Sequence, residues 1–174
     1  MNRYTRTAIG LHWLMAILII ATFTLGVIMT DMPGFSPTKL KLFSWHKWAG
    51  VTVLLLAAVR LLWRLKHKAP AYPANMPAWQ QTAAHALHGL LYLLFFAVPL
   101  SGYFYTLAAG FPVVWFGLIP LPVLMDASPE WKPLLKTTHL ILVYSLATLV
   151  LAHLAAALKH HFIDRDGILR RMLP

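Results

Sequence analysis

The chain contains no cysteine. That excludes disulfides, thiol catalysis, cysteine-ligated iron–sulfur clusters and the C-x-x-C-H attachment of c-type haem. Charge is also scarce. Only 11% of the 174 residues are charged, against roughly 25% in ordinary soluble domains. Acidic residues are scarcest, five against fifteen lysines and arginines. What fills the chain is apolar: 59% of residues are hydrophobic and the mean hydropathy is +0.65. A single-domain integral membrane protein follows. The formal charge of +10 would suggest nucleic acid in a soluble protein. Here the cations flank apolar spans, so no nucleic-acid partner is expected.

Four apolar stretches are long enough for a hydrocarbon core of about 30 Å, which takes about 20 helical residues. They run over about 9–29, 42–62, 84–107 and 134–158. Runs this continuous cross lipid as helices. The expected architecture is all-α, a four-helix membrane bundle in one domain over 1–174. The connectors "DMPGFSP", "KAPAYPANMP" and "AAGFPVVWFGLIPLPVLMDASP" carry the breakers. The last is long enough for a short re-entrant or interfacial piece, with Trp115 and Phe116 suited to an interface. The first span is too long for a signal peptide and has no clear cleavage site, so it is expected to be retained. Ten lysines and arginines fall on one side of the spans (Arg3, Arg6, Arg60, Arg64, Lys66, Lys68, Lys159, Arg165, Arg170, Arg171) and five on the other (Lys39, Lys41, Lys47, Lys132, Lys136). The ten-residue side should be cytoplasmic, with both termini inside.

Without cysteine, histidine is the strongest ligand available for a borderline metal. Ordering the spans by depth places His46 and His139 near the outer face, and His12 and His153 near the inner face. His139 and His153 lie fourteen residues apart on one span. That is close to four helical turns, so both leave the same face about 21 Å apart along the axis. Two stacked sites, each clamped between histidines of two helices, suit two b-type haems, with pairs His12/His153 and His46/His139. Ionisable residues in spans are rare and usually functional, the competing role being interhelical hydrogen bonding. The fourteen-residue step recurs: Gly26 follows His12, Arg60 follows His46, and Gly102 follows His88. Gly26 and Gly102, and Gly50 one turn from His46, either give a macrocycle room or serve plain helix packing. Arg60 either pairs with a haem propionate or snorkels to the interface.

On the cytoplasmic side, His85, His88 and Tyr92 share one stripe of the third span. His160 continues the His153 face, and His161 turns off it. With Trp13 and Trp79 at that depth, these residues either line a quinone pocket or anchor the interface. His85 or His88 is also a substitute ligand for the inner haem. His67, in "RLKHK", reads as interfacial. A histidine-relay metal transporter would need polar or broken helices at mid-membrane, and the middle of this chain is apolar.

The chain resembles the bacterial cytochrome b561 family of four-helix di-haem membrane proteins. The resemblance rests on "IGLHW", "SWHKWAG", "AVRLLWRLKH", "AAHALHGLLY", "KTTHL", "LAHLAAALKHHF" and "DRDGILRRMLP", in that order along the whole chain. It implies two haem b groups on His46/His139 and His12/His153, in the bacterial inner membrane. It also implies electron transfer from superoxide or another small periplasmic donor to ubiquinone, with His160 at the quinone site. Lys39, Lys41, Lys47, Lys132 and Lys136 would steer an anionic donor, against a plain interfacial role. The alternative is a b-type anchor subunit relaying electrons between a partner dehydrogenase or hydrogenase and the quinone pool.

Overall fold

The computed structural model describes residues 3–174. Four helices dominate it: α1 (Arg6–Asp31), α2 (Pro37–Lys66), α3 (Ala78–Ala108) and α4 (Trp131–Lys159). All four are long and apolar enough to cross a membrane. Each overruns its apolar stretch at both ends, because local caps set the helix bounds and the apolar run does not. Thr5 starts α1 by accepting from the Ala8 N–H at 3.2 Å. Ser36 starts α2 in the same way, from Lys39, with Pro37 in the first turn. Each cap satisfies a backbone donor that the first turn leaves without a partner.

The helices pack in chain order, α1 on α2, α2 on α3 and α3 on α4. The seam between α1 and α4 is sparse by comparison. At mid-height, Leu91 and Leu94 of α3 bury against Leu146 of α4, flanked by Ile19, Phe95, Leu142 and Val150. Leu146 stands seven residues from both His139 and His153. The apolar core is therefore a plug between two histidine levels. Outward-facing residues such as Ile17, Leu93 and Leu151 are exposed, which is the surface a lipid environment requires.

Both ends of the bundle carry structure beyond the helices. The α3–α4 connector holds a small hairpin, β1 (Val114–Trp115) paired antiparallel with β2 (Ile119–Pro120). Its turn uses Phe116 at φ 52° and Gly117 at φ 72°, the left-handed region that tight hairpins need. A hairpin thus stands where the sequence suggested a re-entrant or interfacial piece. Trp48 Nε1 donates to the Val114 carbonyl at 2.7 Å, and Trp115 Nε1 to Thr52 Oγ1 at 3.2 Å, fixing the hairpin on α2. At the other end α4 widens into a π-helical turn over His160–Asp164, and the chain reverses through Arg165 and Gly167, both at positive φ. The tail then runs back under the bundle. Trp13 Nε1 donates to the Met172 carbonyl at 2.8 Å, Arg171 to the Ala71 carbonyl at 2.5 Å, and Arg3 to the Leu173 carbonyl.

Candidate haem and quinone sites

The four paired histidines are brought together as their depths require. The rings of His46 (α2) and His139 (α4) lie 6.4 Å apart between centroids, with planes at 88°. Those of His12 (α1) and His153 (α4) lie 6.2 Å apart at 60°. Two metal–imidazole bonds of about 2.0 Å, plus about 1.1 Å from each nitrogen to its ring centre, give a gap of about 6.2 Å. Both pairs match that spacing. His88 also reaches His153, but at 5.4 Å, shorter than an intervening iron needs.

At the outer level each Nδ1 is tied to a backbone carbonyl. His46 Nδ1 lies 2.9 Å from the Thr22 oxygen, and His139 Nδ1 lies 3.1 Å from the Val98 oxygen and 2.9 Å from Ser101 Oγ. A carbonyl only accepts, so both rings carry the proton on Nδ1 and leave Nε2 free as a ligand atom. The glycines provide the clearance. A Cβ on Gly26 would stand 3.1 Å from His46 Cε1, and one on Gly102 would stand 2.9 Å from His139 Cε1. Gly26 and Gly102 therefore allow the imidazoles to lie against bare helix backbone. A Cβ on Gly50 would meet nothing within 4 Å, so α2 leaves open space one turn from His46. This donor set fits a bis-histidine haem.

The inner level is built differently. Arg60 Nη2 donates to His12 Nδ1 at 3.2 Å, and Arg60 Nε donates to the Tyr92 hydroxyl at 3.2 Å. The Arg64 guanidinium stands 5.8 Å over the Tyr92 ring. A ring whose Nδ1 accepts from arginine carries its proton on Nε2, so His12 becomes a ligand through Nε2 only when Arg60 lets go. Trp13 lies edge-on to His12, with centroids 5.3 Å apart. Three histidines, two arginines and one tyrosine thus share this level.

Other residues singled out by the sequence separate. His85 leaves the cluster: its Nδ1 donates to the Gln81 carbonyl at 2.8 Å, and its ring meets Tyr72. Trp79 is exposed. His67 stacks on Trp63 at 4.0 Å. His161 packs edge-on to Phe162. His160 instead sits in a charged knot, with Nδ1 2.6 Å from Asp166 Oδ2 and 3.1 Å from Asp164 Oδ2. Of the five outer lysines, Lys39 alone has its ammonium hydrogen-bonded among the described residues, to the carbonyls of Met32 and Gly34. Lys47 is half-buried, while Lys41, Lys132 and Lys136 are exposed. Sequence reasoning missed Ser101, Val98, Thr22 and Asp166. Ser101 lies one residue before Gly102, yet a carbonyl partner has no sequence signature. Asp166 stands six residues beyond His160, a separation that becomes contact only through the π-helical turn.

Comparison with known proteins gives the family. The family model for the prokaryotic cytochrome b561 matches residues 3–174. Cytochrome b561 homolog 2 of Escherichia coli is 33% identical over 172 residues, covering 99% of this chain and 92% of that protein. Homolog 1 of the same organism is 33% identical, covering 100% of this chain and 98% of that protein. A probable superoxide oxidase of Yersinia pestis is 30% identical, covering 99% of this chain and 97% of its own length. The chain belongs to the prokaryotic cytochrome b561 family, bacterial membrane proteins that carry b-type haem and transfer electrons.

Proposed function

We propose that this chain is a superoxide:ubiquinone oxidoreductase of the inner membrane. It would carry two b haems, on His46/His139 near the periplasmic face and on His12/His153 near the cytoplasmic face. The observation that carries the reading is the pair of imidazole gaps, 6.4 Å and 6.2 Å, hung fourteen residues apart on α4. Haem, when bound at each pair, supplies a one-electron carrier at that level. The side chains do the rest. Thr22, Val98 and Ser101 orient the outer ligands, and Gly26 and Gly102 let them lie against bare helix backbone. Arg60 is placed to release His12 and take a propionate. Leu91, Leu94 and Leu146 exclude water and ions between the levels, so charge crosses only as electrons. Lys41, Lys47, Lys132 and Lys136 draw an anionic donor to the outer face. His160, with His88 and Tyr92 nearer the inner pair, supplies hydrogen bonds and protons for a quinone at the cytoplasmic end. The ten-to-five distribution of lysine and arginine supports cytoplasmic termini.

The test is direct. Superoxide should reduce the haems of the purified protein in a rapid reaction that slows as salt rises. Slow, salt-independent reduction would remove superoxide as the donor.

A second reading draws on the outer hairpin. Phe111, Phe116, Leu118, Val123 and Leu124 are exposed there, an apolar rim suited to docking a partner redox subunit. Under that reading the chain is a relay anchor. A periplasmic catalytic subunit should then co-purify at fixed stoichiometry, and its loss should abolish haem reduction.

A further inference from the structure

The knot at the end of α4 has a defined asymmetry. Asp166 is 7% exposed at its side chain and lies 2.6 Å from His160 Nδ1. Its other oxygen accepts the Ile168 N–H at 3.0 Å. Asp164 also approaches the same nitrogen, at 3.1 Å, but its side chain is 27% exposed and it is held by Lys159 at 2.5 Å. Asp164 therefore has its own counter-charge, and Asp166 is committed to His160. The fold brings this about. The π-helical turn and the positive φ of Arg165 and Gly167 carry the chain back on itself. A buried carboxylate against Nδ1 holds the proton on that nitrogen and leaves Nε2 to exchange protons. His160 Nε2 has no hydrogen-bond partner among the described residues.

We infer that Asp166 is a positioning residue for quinone reduction, holding His160 so that Nε2 delivers one of the two protons taken up by the quinone. This rests on the cytoplasmic quinone site proposed above. Two superoxide anions give one electron each and leave as dioxygen. The quinone takes two electrons and two protons to become quinol. For the proton from His160, the Nε2–H bond breaks and a quinol O–H bond forms. The imidazole is left neutral with Nδ1–H still on Asp166, and cytoplasmic water restores the proton. An asparagine at 166 keeps an oxygen for the Ile168 N–H. It turns an N–H toward Nδ1, however, which fixes the proton on Nε2 and ends the exchange.

The experiment uses the haem-loaded full chain, superoxide and a short-chain ubiquinone analogue. Asp166→Asn should keep its haem content and its rate of haem reduction by superoxide. Its kcat for quinone reduction should fall on the order of 10-fold or more, with KM little changed, and reduced haem should accumulate during turnover. Asp164→Asn should change kcat far less. If His160→Gln leaves quinone reduction intact, the quinone site itself is misplaced. If His160→Gln slows turnover and Asp166→Asn does not, the quinone site stands and the role of Asp166 is overturned. Loss of haem from Asp166→Asn would also overturn it, by making the residue a tail anchor.

Discussion

The outer and inner histidine levels use the same helix and nearly the same ring separation, yet they are built on opposite principles. The outer pair is pre-set: backbone carbonyls hold both Nδ1 protons, and two glycines clear the rings. The inner pair is contested, with Arg60 on His12 Nδ1 and His88 crowding His153. Carbonyl partners cannot move away or change protonation state, whereas arginine and histidine side chains can. On the proposed path, a site that takes an electron and passes it to a second haem needs rigid ligands. A site that hands it on to a proton-consuming acceptor gains from mobile, ionisable neighbours.

Ligand removal gives the largest effect. On the proposed two-haem arrangement, His139→Ala and His153→Ala should each lower the haem-to-protein ratio from two to one, and spectra of the two variants should show loss of different haems. Loss of the same spectral component from both would break the two-level arrangement. Next comes clearance. Gly102→Ala puts a methyl 2.9 Å from His139, an overpacking that costs about 1–3 kcal/mol. Outer haem occupancy or thermal stability should fall, less so for Gly26→Ala at 3.1 Å. Exposed Gly89, with nothing within 4 Å of an added Cβ, should accept alanine without loss.

A smaller and selective effect is expected at Arg60. Arg60→Gln should shift the midpoint potential of the inner haem and leave the outer one in place, read by redox titration of the two spectral components. The smallest effect belongs to Ser101→Ala. It removes one of two partners of His139 Nδ1 and keeps the Val98 carbonyl, so haem should be retained with a modest change in affinity, below the roughly 10-fold seen when a sole outer partner is lost. A complete loss of outer haem would show that the serine, and not the carbonyl, orients the ring.

Much of the bundle was legible because lipid imposes a simple rule: apolar runs of span length become helices. The pairing of histidines by depth follows from chain direction and helical rise, which sequence supplies. The partners of Nδ1 do not follow. Thr22 and Val98 act through main-chain oxygens that every residue has, so nothing in their side chains marks them. His85 shares a stripe with His88 by their three-residue spacing, but its partners, the Gln81 carbonyl and the edge of Tyr72, have no sequence signature. Lys39 reads with the other four outer lysines as a steering or interfacial cation, and the α1–α2 turn presents two carbonyls within its reach.

Because α4 carries one histidine of each pair, it acts as a ruler, and a ruler does not tolerate miscounting. One residue inserted between His139 and His153 would swing one imidazole by about 100° and 1.5 Å relative to the other. The two sites cannot drift independently: a length change in this segment severs one of them, whereas the hairpin connector can lengthen without moving either. Leu146, at the midpoint, is where the two halves of the count meet.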